Sequence, residues 1–345
     1  MRKRVYFGVA IAALVFLLVQ LGALALVPTF YEQGYQTVED PTDPANSVVY
    51  IGAILVATAV MLAAFKFDFD WAVRALVVFS SAWLSWYVFS SILPAVPAAA
   101  GAAVVAVALV AYPEWYVIDT AGVLMGAGAA GLFGISFGLL PAIVLLTALA
   151  VYDAISVYGT KHMLDLAEGV MDLRIPVVLV IPTTLSYSLL DDDFSGANDV
   201  HDGAKADAPT GEEPVTAADS GGDAAVTDGD GAVTDDGDDA PAEDDDGVRD
   251  AFFIGLGDAV MPTVMIASAA FFSPANSLGV GALPALNLPA LTSMVGTFAG
   301  LFVLLWMVLK GRAHAGLPLL NGGAIGGYLL GSLAAGVPIL TAIGL

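Results

Sequence analysis

Long apolar stretches separated by short polar segments make up most of this chain. A stretch needs roughly 20 residues to cross the hydrocarbon core of a bilayer, which is about 30 Å thick. Nine stretches approach that length, and the pattern predicts an all-α polytopic membrane protein with nine transmembrane helices. Their approximate limits are 5–27, 48–65, 72–91, 95–112, 117–137, 139–159, 251–271, 289–309 and 317–341.

The first apolar stretch follows three basic residues, an arrangement that also occurs in signal peptides. Its apolar run is longer than an ordinary signal-peptide core, so we interpret it as a membrane span. Both interpretations place the loop that follows it outside the cytoplasm.

Lysines and arginines indicate how the chain is oriented, because cytoplasmic loops are enriched in them. With a cytoplasmic N-terminus, all 11 fall in cytoplasmic segments or just inside a span on that side. They are Arg2, Lys3, Arg4, Lys66, Arg74, Lys161, Arg174, Lys205, Arg249, Lys310 and Arg312. The pattern therefore predicts a cytoplasmic N-terminus and an external C-terminus.

The segment between the sixth and seventh stretches has three parts. Residues 163–174 carry apolar and charged residues at helical spacing, which predicts a short interfacial helix. Residues 176–182 are rich in valine, leucine and isoleucine and favour a β-strand. Residues 191–250 hold few large apolar residues and are predicted to be disordered. The predicted organisation is spans one to six at 1–160, the interfacial helix and strand-prone segment at 161–190, the acidic cytoplasmic loop at 191–250, and spans seven to nine at 251–345.

Composition supports a membrane protein, since 58% of the residues are hydrophobic and 13% are charged. The formal net charge of −23 arises mainly from residues 191–250, which hold 21 of the 34 acidic residues. The acidity is therefore a property of one segment and does not indicate a basic or nucleic-acid partner. There are no cysteines, which excludes disulfides and thiolate nucleophiles, and the three histidines are scattered in loops. No metal or cofactor is predicted.

Two aspartates lie well inside predicted spans, where ionisable residues are costly and usually functional. Asp153 lies six residues before the end of the sixth span, and Asp258 lies seven residues after the start of the seventh. Because these spans run in opposite directions, we expect both carboxyls about 9–11 Å below the cytoplasmic boundary. Neither span contains a basic residue, so the carboxyls satisfy each other best by sharing a proton. A third acid, Asp119, lies beside Trp115 and Tyr116 and is interpreted as an interfacial residue.

A pair of carboxyls that share a proton can hydrolyse a peptide bond. The ionised member takes a proton from water, while the protonated member donates to the peptide carbonyl. Gly255 and Gly257 leave room beside Asp258 for water and an extended substrate, although Gly-x-Gly alone would indicate ordinary helix packing. The main alternative is a proton- or cation-coupled transporter that uses the same two carboxyls. It predicts an inverted repeat, and none is evident in the sequence.

The residues around the two aspartates resemble the motifs of a known family. Tyr152-Asp153 and Gly255-Leu256-Gly257-Asp258 resemble the YD and GxGD motifs of presenilins and signal peptide peptidases, the GxGD intramembrane aspartyl proteases. The nine spans, the cytoplasmic N-terminus and the long loop after the sixth span are similar to presenilin, most of all to an archaeal presenilin homologue. The resemblance implies an aspartic endopeptidase with Asp153 and Asp258 as catalytic residues and no cofactor. Its substrates would be transmembrane helices of other proteins, and its active site in the cell membrane would open towards the cytoplasm. Association with further copies of the chain is left open.

The family also carries a Pro-Ala-Leu motif just before its ninth span. Literal copies at 284–286 and 289–291 lie near the outer start of the eighth predicted span. We instead predict Gly316, Leu317 and Pro318 as the equivalent substrate-binding segment, because only these residues reach the depth of the aspartates. Proline removes a backbone donor, so we expect this segment to be extended.

Overall fold

The computed structural model describes residues 2–67, 69–157, 176–190, 251–310 and 315–345. The predicted interfacial helix at 163–174 and the acidic segment at 191–250 lie outside these residues. Within the described ranges, one long helix overlaps each of the nine predicted apolar stretches. These helices are α1 Arg2–Glu32, α2 Ala45–Lys66, α3 Asp70–Ser90, α4 Ala95–Ala111, α5 Trp115–Ser136, α6 Leu139–Ile155, α7 Leu256–Phe272, α8 Leu288–Val308 and α9 Leu317–Ala334, followed by the short α10 Ile339–Ala342.

Six of the described helices, α1, α2, α3, α5, α8 and α9, are long and apolar enough to cross a membrane. The helices α4, α6 and α7 are also apolar but have 17 residues each. At 1.5 Å per residue, each of these three is about 25 Å long. Many large apolar side chains of α2 and α4 are exposed, a surface that suits lipid and not water. The protein is therefore embedded in a membrane through several helices.

The centre of the structure lies where α1, α5 and α7 pack together around one hydrophobic cluster. Small residues on α5 allow the neighbouring backbones to come close. A Cβ atom on Gly134 of α5 would overlap Ala267 of α7, and one on Gly22 of α1 would lie 2.8 Å from the Cβ of Ala127. Helices in lipid associate through this kind of close contact, which explains why α5 is rich in glycine and alanine.

Helices α8 and α9 touch through their backbones. A Cβ atom on Gly296 of α8 would overlap the carbonyl oxygen of Gly323 on α9, and a Cβ on Gly323 would overlap the carbonyl oxygen of Gly296. The buried hydroxyl of Ser293 adds an interhelical hydrogen bond to the carbonyl oxygen of Ala324, at 2.9 Å. This contact fixes the position of α9 along α8.

Two short strands modify the predicted all-α fold. Strand β1, Val178–Pro182, pairs antiparallel with β2, Ala251–Gly255, and Val178 lies opposite Gly255. The strand predicted at 176–182 is confirmed. The seventh span was expected to be helical from residue 251, and this was wrong for its first five residues. Their sequence, Ala-Phe-Phe-Ile-Gly, has high β-propensity, and pairing with β1 holds it extended.

The last long helix is shorter than predicted, since α9 ends at Ala334 and not near residue 341. Gly336 has a φ of +77°, a left-handed conformation that terminates helices. The N–H of Gly336 bonds the carbonyl oxygen of Leu333, and the N–H of Val337 bonds that of Ser332. These two bonds form the helix-ending Schellman motif.

Candidate active site

Asp153 continues the buried face of α6. Leu146 and Leu149 precede it at spacings of seven and four residues, so all three side chains lie on one side of the helix. The Asp153 side chain is 6% exposed, while its neighbour Tyr152 is 36% exposed. The local sequence therefore turns Asp153 into the protein and Tyr152 outward.

Asp258 lies in the first turn of α7, directly after β2. Gly255 is extended and caps the helix, while the N–H of Leu256 donates to the carbonyl oxygen of Val177 at 2.7 Å. The sequence placed Asp258 seven residues inside a helix, but β2 replaces the first turns, so Asp258 is the third helical residue. This position favours a carboxylate, because the N-terminal end of a helix carries partial positive charge.

Both aspartates lie next to the same two residues at the start of α9, Gly316 and Leu317. The N–H of Leu317 donates to Oδ2 of Asp153 at 3.1 Å. A Cβ atom on Gly316 would lie 3.2 Å from Oδ2 of Asp258. Because Gly316 and Leu317 are consecutive, both carboxyls lie against the same short segment.

Pro318 occupies the second position of α9 and is half-buried. The segment around it was expected to be extended, but α9 begins at Leu317, and Gly316 already has helical angles of −77° and −46°. A proline is tolerated in the first turn because the N–H groups there have no partner within the helix. The N–H of Leu317 instead donates to Asp153 of α6.

The glycines of the GxGD segment border different surroundings. A Cβ atom on Gly255 would lie 3.7 Å from Oδ2 of Asp258, an ordinary contact. A Cβ on Gly257 would meet no atom within 4 Å, and this glycine is exposed. Leu256 between them is buried and packs over Gly126 of α5. Open space thus lies beside Gly257, the residue that precedes Asp258.

The literal Pro-Ala-Leu sequences lie at the other end of α7. Residues 284–286 belong to the connection between Phe272 and Leu288, and residues 289–291 begin α8. Asp258 is at the start of α7 and Phe272 at its end, about 20 Å away along the helix. Neither copy is brought to the aspartates.

Two acidic residues at the beginning of α5, Asp119 within the helix and Glu114 at its N-cap, have roles that the sequence did not indicate. Asp119 was interpreted as interfacial, but its side chain is 6% exposed, and its Oδ1 accepts the N–H of Val180 in β1 at 2.8 Å. Glu114 accepts the hydroxyl of Ser188 at 2.6 Å and the N–H of Leu189 at 3.0 Å. Both partners lie far along the chain, so the local sequence carries no signal for these contacts.

A further buried polar residue, Asn321, lies one turn after Leu317 on α9. Its side-chain N–H donates to the carbonyl oxygen of Leu146 on α6 at 3.0 Å. This bond ties α9 to the helix that carries Asp153. Within the described ranges, no three histidine, aspartate or glutamate side chains come close enough together to hold a metal ion.

Comparisons with known proteins identify the family. A model of the family described as "Signal-peptide peptidase, presenilin aspartyl protease" matches residues 13–337. A solved structure of a presenilin family intramembrane aspartate protease in space group C222 is 30% identical, covering 94% of this chain and 99% of its own, with a TM-score of 0.59. The corresponding structure in space group P2 is 30% identical, covering 93% and 96%, with a TM-score of 0.55. No curated protein matches the chain. The chain belongs to the signal-peptide peptidase and presenilin family of aspartyl proteases and is an aspartic endopeptidase of the intramembrane-cleaving type.

Proposed function

We propose that this protease cleaves peptide bonds within transmembrane segments of its substrates, using Asp153 and Asp258 to activate one water molecule. The observation that supports the proposal most is the common position of the two carboxyls at the Gly316–Leu317 segment. Each carboxyl also lies at a helix N-terminus, Asp153 at that of α9 and Asp258 at that of α7. Two such termini stabilise the negative charge that the pair must carry.

In the proposed reaction, the ionised carboxyl removes a proton from a water molecule, and the oxygen of that water attacks the carbonyl carbon of the peptide. The protonated carboxyl donates its proton to the carbonyl oxygen, which gives a neutral tetrahedral diol. One carboxyl then protonates the nitrogen while the other takes the proton of one diol hydroxyl, so that the carbon–nitrogen bond breaks and a carboxylic acid and an amine leave. The step requires no covalent intermediate with the enzyme. The open space beside Gly257, next to Asp258 in the chain, would admit the water and the peptide.

A substrate helix must unwind locally before its peptide bond can be attacked, and unwound backbone in a membrane needs new hydrogen-bond partners. We propose that the substrate adds a strand to the β1–β2 sheet. Strand β2 ends at Gly255, three residues before Asp258, so an added strand would pass beside the carboxyl pair. The N–H of Val180 on the far side of β1 is already taken by Asp119, which favours addition along β2.

The remaining elements of the proposal concern topology. Nine helices would cross the membrane, with a cytoplasmic N-terminus, an external C-terminus and an active site open to the cytoplasm. The nine described long helices and the one-sided distribution of lysine and arginine support this arrangement. The four-part division at 160, 190 and 250 belongs to the same proposal. Neither the family match nor the solved structures support the transporter alternative.

Purified enzyme in detergent, mixed with a single-span substrate, tests the proposed function. We expect cleavage within the hydrophobic segment of the substrate, mapped by mass spectrometry of the products. A hydroxyl-bearing mimic of the tetrahedral intermediate should block it, because such a mimic binds the carboxyl pair more tightly than substrate does. Cleavage that resists the mimic, or cuts that fall only outside the hydrophobic segment, would contradict the proposal.

A further inference from the structure

Strand β1 is held on its outer side by α5. Among the residues that the structure describes, β1 pairs with β2 along one edge, so the backbone groups on its other edge need a different partner. Asp119 supplies one, since its Oδ1 accepts the N–H of Val180 at 2.8 Å inside the protein. The other carboxylate oxygen of Asp119 is buried and has no hydrogen-bond partner in the described part of the chain.

The packing around this hydrogen bond brings β1 directly onto α5. Gly122 lies one turn after Asp119, and a Cβ atom there would be 2.8 Å from Cδ2 of Leu179 and 3.6 Å from the carbonyl oxygen of Pro176. Glu114, at the start of α5, holds Leu189 further along the same segment. Residues 176–190 are therefore fixed to the first turns of α5 at three places.

The same strand sets the position of Asp258. Val178 of β1 lies opposite Gly255 of β2, and the N–H of Leu256 donates to the carbonyl oxygen of Val177. Leu256 begins the helix whose third residue is Asp258. Movement of β1 away from α5 would thus move both the strand before Asp258 and the start of α7.

We propose that Asp119 is a positioning residue of the protease. Its carboxyl holds β1 against α5 and thereby aligns β2, along which the substrate strand adds, with the carboxyl pair. This inference rests on the proposed function, because it assumes strand addition and cleavage by Asp153 and Asp258. Asp119 does not touch the reacting atoms; it acts through β1 and β2.

The test compares Asp119→Ala, Asp119→Asn and the control Thr120→Ala on the full-length enzyme with a single-span substrate. Thr120 is exposed at the next position of α5, and its hydroxyl donates to the carbonyl oxygen of Tyr116 in its own helix. We expect Asp119→Ala to raise KM by about tenfold or more, because the buried N–H of Val180 loses its acceptor. The cleaved bonds should also spread to neighbouring positions, while kcat changes less. Asp119→Asn keeps an acceptor oxygen and should stay within about threefold of the original enzyme, as should Thr120→Ala.

A purely structural role predicts a different result, since partial unfolding lowers the active fraction and leaves KM and the cleavage positions unchanged. That result for Asp119→Ala would overturn the inference. If the alanine variant does not fold, Val180→Pro removes the same hydrogen bond from the strand side. Its KM and its cleavage positions are then compared with those of the original enzyme. Asp258→Ala is measured in parallel. If the Asp258→Ala variant still cleaves the substrate, the two-aspartate proposal is refuted. If Asp258→Ala is inactive while Asp119→Ala behaves like the original enzyme, only the present inference is refuted.

Discussion

The N–H of Leu317, the first residue of α9, donates a hydrogen bond to the carboxylate of Asp153 near the end of α6. The N–H groups in the first turn of a helix lack partners within that helix. Asp153 therefore acts as an acceptor for a different helix from its own, and the position of α9 determines the geometry around the carboxyl pair. Changes on α9 should consequently alter activity even where they touch neither aspartate.

Gly316 leaves no space for a larger side chain beside Asp258. A Cβ atom there would lie 3.2 Å from Oδ2 of Asp258 and 3.3 Å from Cδ2 of Leu304. We expect Gly316→Leu to abolish cleavage and capture of the transition-state mimic while the protein stays folded. The matching change Ala285→Leu, in the literal Pro-Ala-Leu sequence at the far end of α7, should leave both nearly unchanged. Loss of activity in Ala285→Leu with full activity in Gly316→Leu would assign the third motif to residues 284–286.

The backbone contact between α8 and α9 gives a second prediction. A Cβ atom at Gly323 would lie within 2.8 Å of the carbonyl carbon of Gly296, so Gly323→Ala must push the helices apart. We expect the free energy of unfolding to fall by about 1–3 kcal/mol. The cleavage rate should also fall, because α9 shifts away from Asp153. The control Gly322→Ala lies one position away, exposed and without an atom within 4 Å of its Cβ. It should be neutral or stabilising by up to about 1 kcal/mol. Equal melting temperatures for the two variants would contradict this packing.

Glu114 lies just before α5 and should make the stability of the protein depend on pH. Burial raises the pKa of this carboxyl, but the hydrogen bonds from Ser188, Leu189 and Trp115 outweigh burial and lower the pKa below its ordinary value of 4.5. A group whose pKa falls on folding stabilises the protein above its ordinary pKa and loses this contribution as the pH falls through the folded-state value. We therefore expect Glu114→Gln to be less stable than the original protein at pH 7, by on the order of 1 kcal/mol.

The difference between these two proteins should begin to shrink as the pH falls below about 4.5, the pKa of Glu114 in the unfolded chain. It should vanish below the lower folded-state pKa, where both folded proteins carry a neutral side chain at position 114. Melting temperatures in detergent, measured for both proteins across this range, check the prediction. Comparison of the two cancels the titration of other carboxyls. A difference that stays constant from pH 7 to pH 3 would show that the charge of Glu114 does not contribute.

Local patterns in the sequence were sufficient to predict the long helices, and they also made Asp153 and Asp258 the candidate catalytic residues. Hydrophobic length predicts a span wherever it occurs, and an acid within a span is rare enough to be noticed. Strand β2 was missed because Ala251–Gly255 is as apolar as the helix that follows it. Its conformation depends on pairing with β1, more than 60 residues earlier in the chain, and strand pairing overrides hydropathy there.

The buried role of Asp119 was missed for a related reason. Its neighbours Trp115 and Tyr116 are typical of a membrane interface, which made an interfacial side chain the natural interpretation. Its hydrogen-bond partner, Val180, is 61 residues away. The end of α9 depended instead on a local feature, since the positive φ of Gly336 terminates the helix before the apolar stretch itself ends.

The acidic segment supplies a further prediction. Deletion of residues 193–248 should leave the rate of cleavage within roughly twofold of the original, because the segment contributes few large apolar side chains to any core. The measurement is the cleavage rate of the deletion variant with the same single-span substrate. A deletion variant that folds, as judged by its melting temperature, but no longer cleaves would assign this segment a part in catalysis or substrate binding.

The central claim is that Asp153 and Asp258 act as one catalytic unit. Cleavage of a single-span substrate should be measured for Asp153→Ala, Asp258→Ala and the double variant, each purified in detergent and confirmed as folded by its melting temperature. The account predicts that each single variant loses all detectable activity and that the double variant is no worse, since residues that act as a unit are not additive. Retained cleavage in either single variant, at the same bond and still blocked by the transition-state mimic, would contradict it.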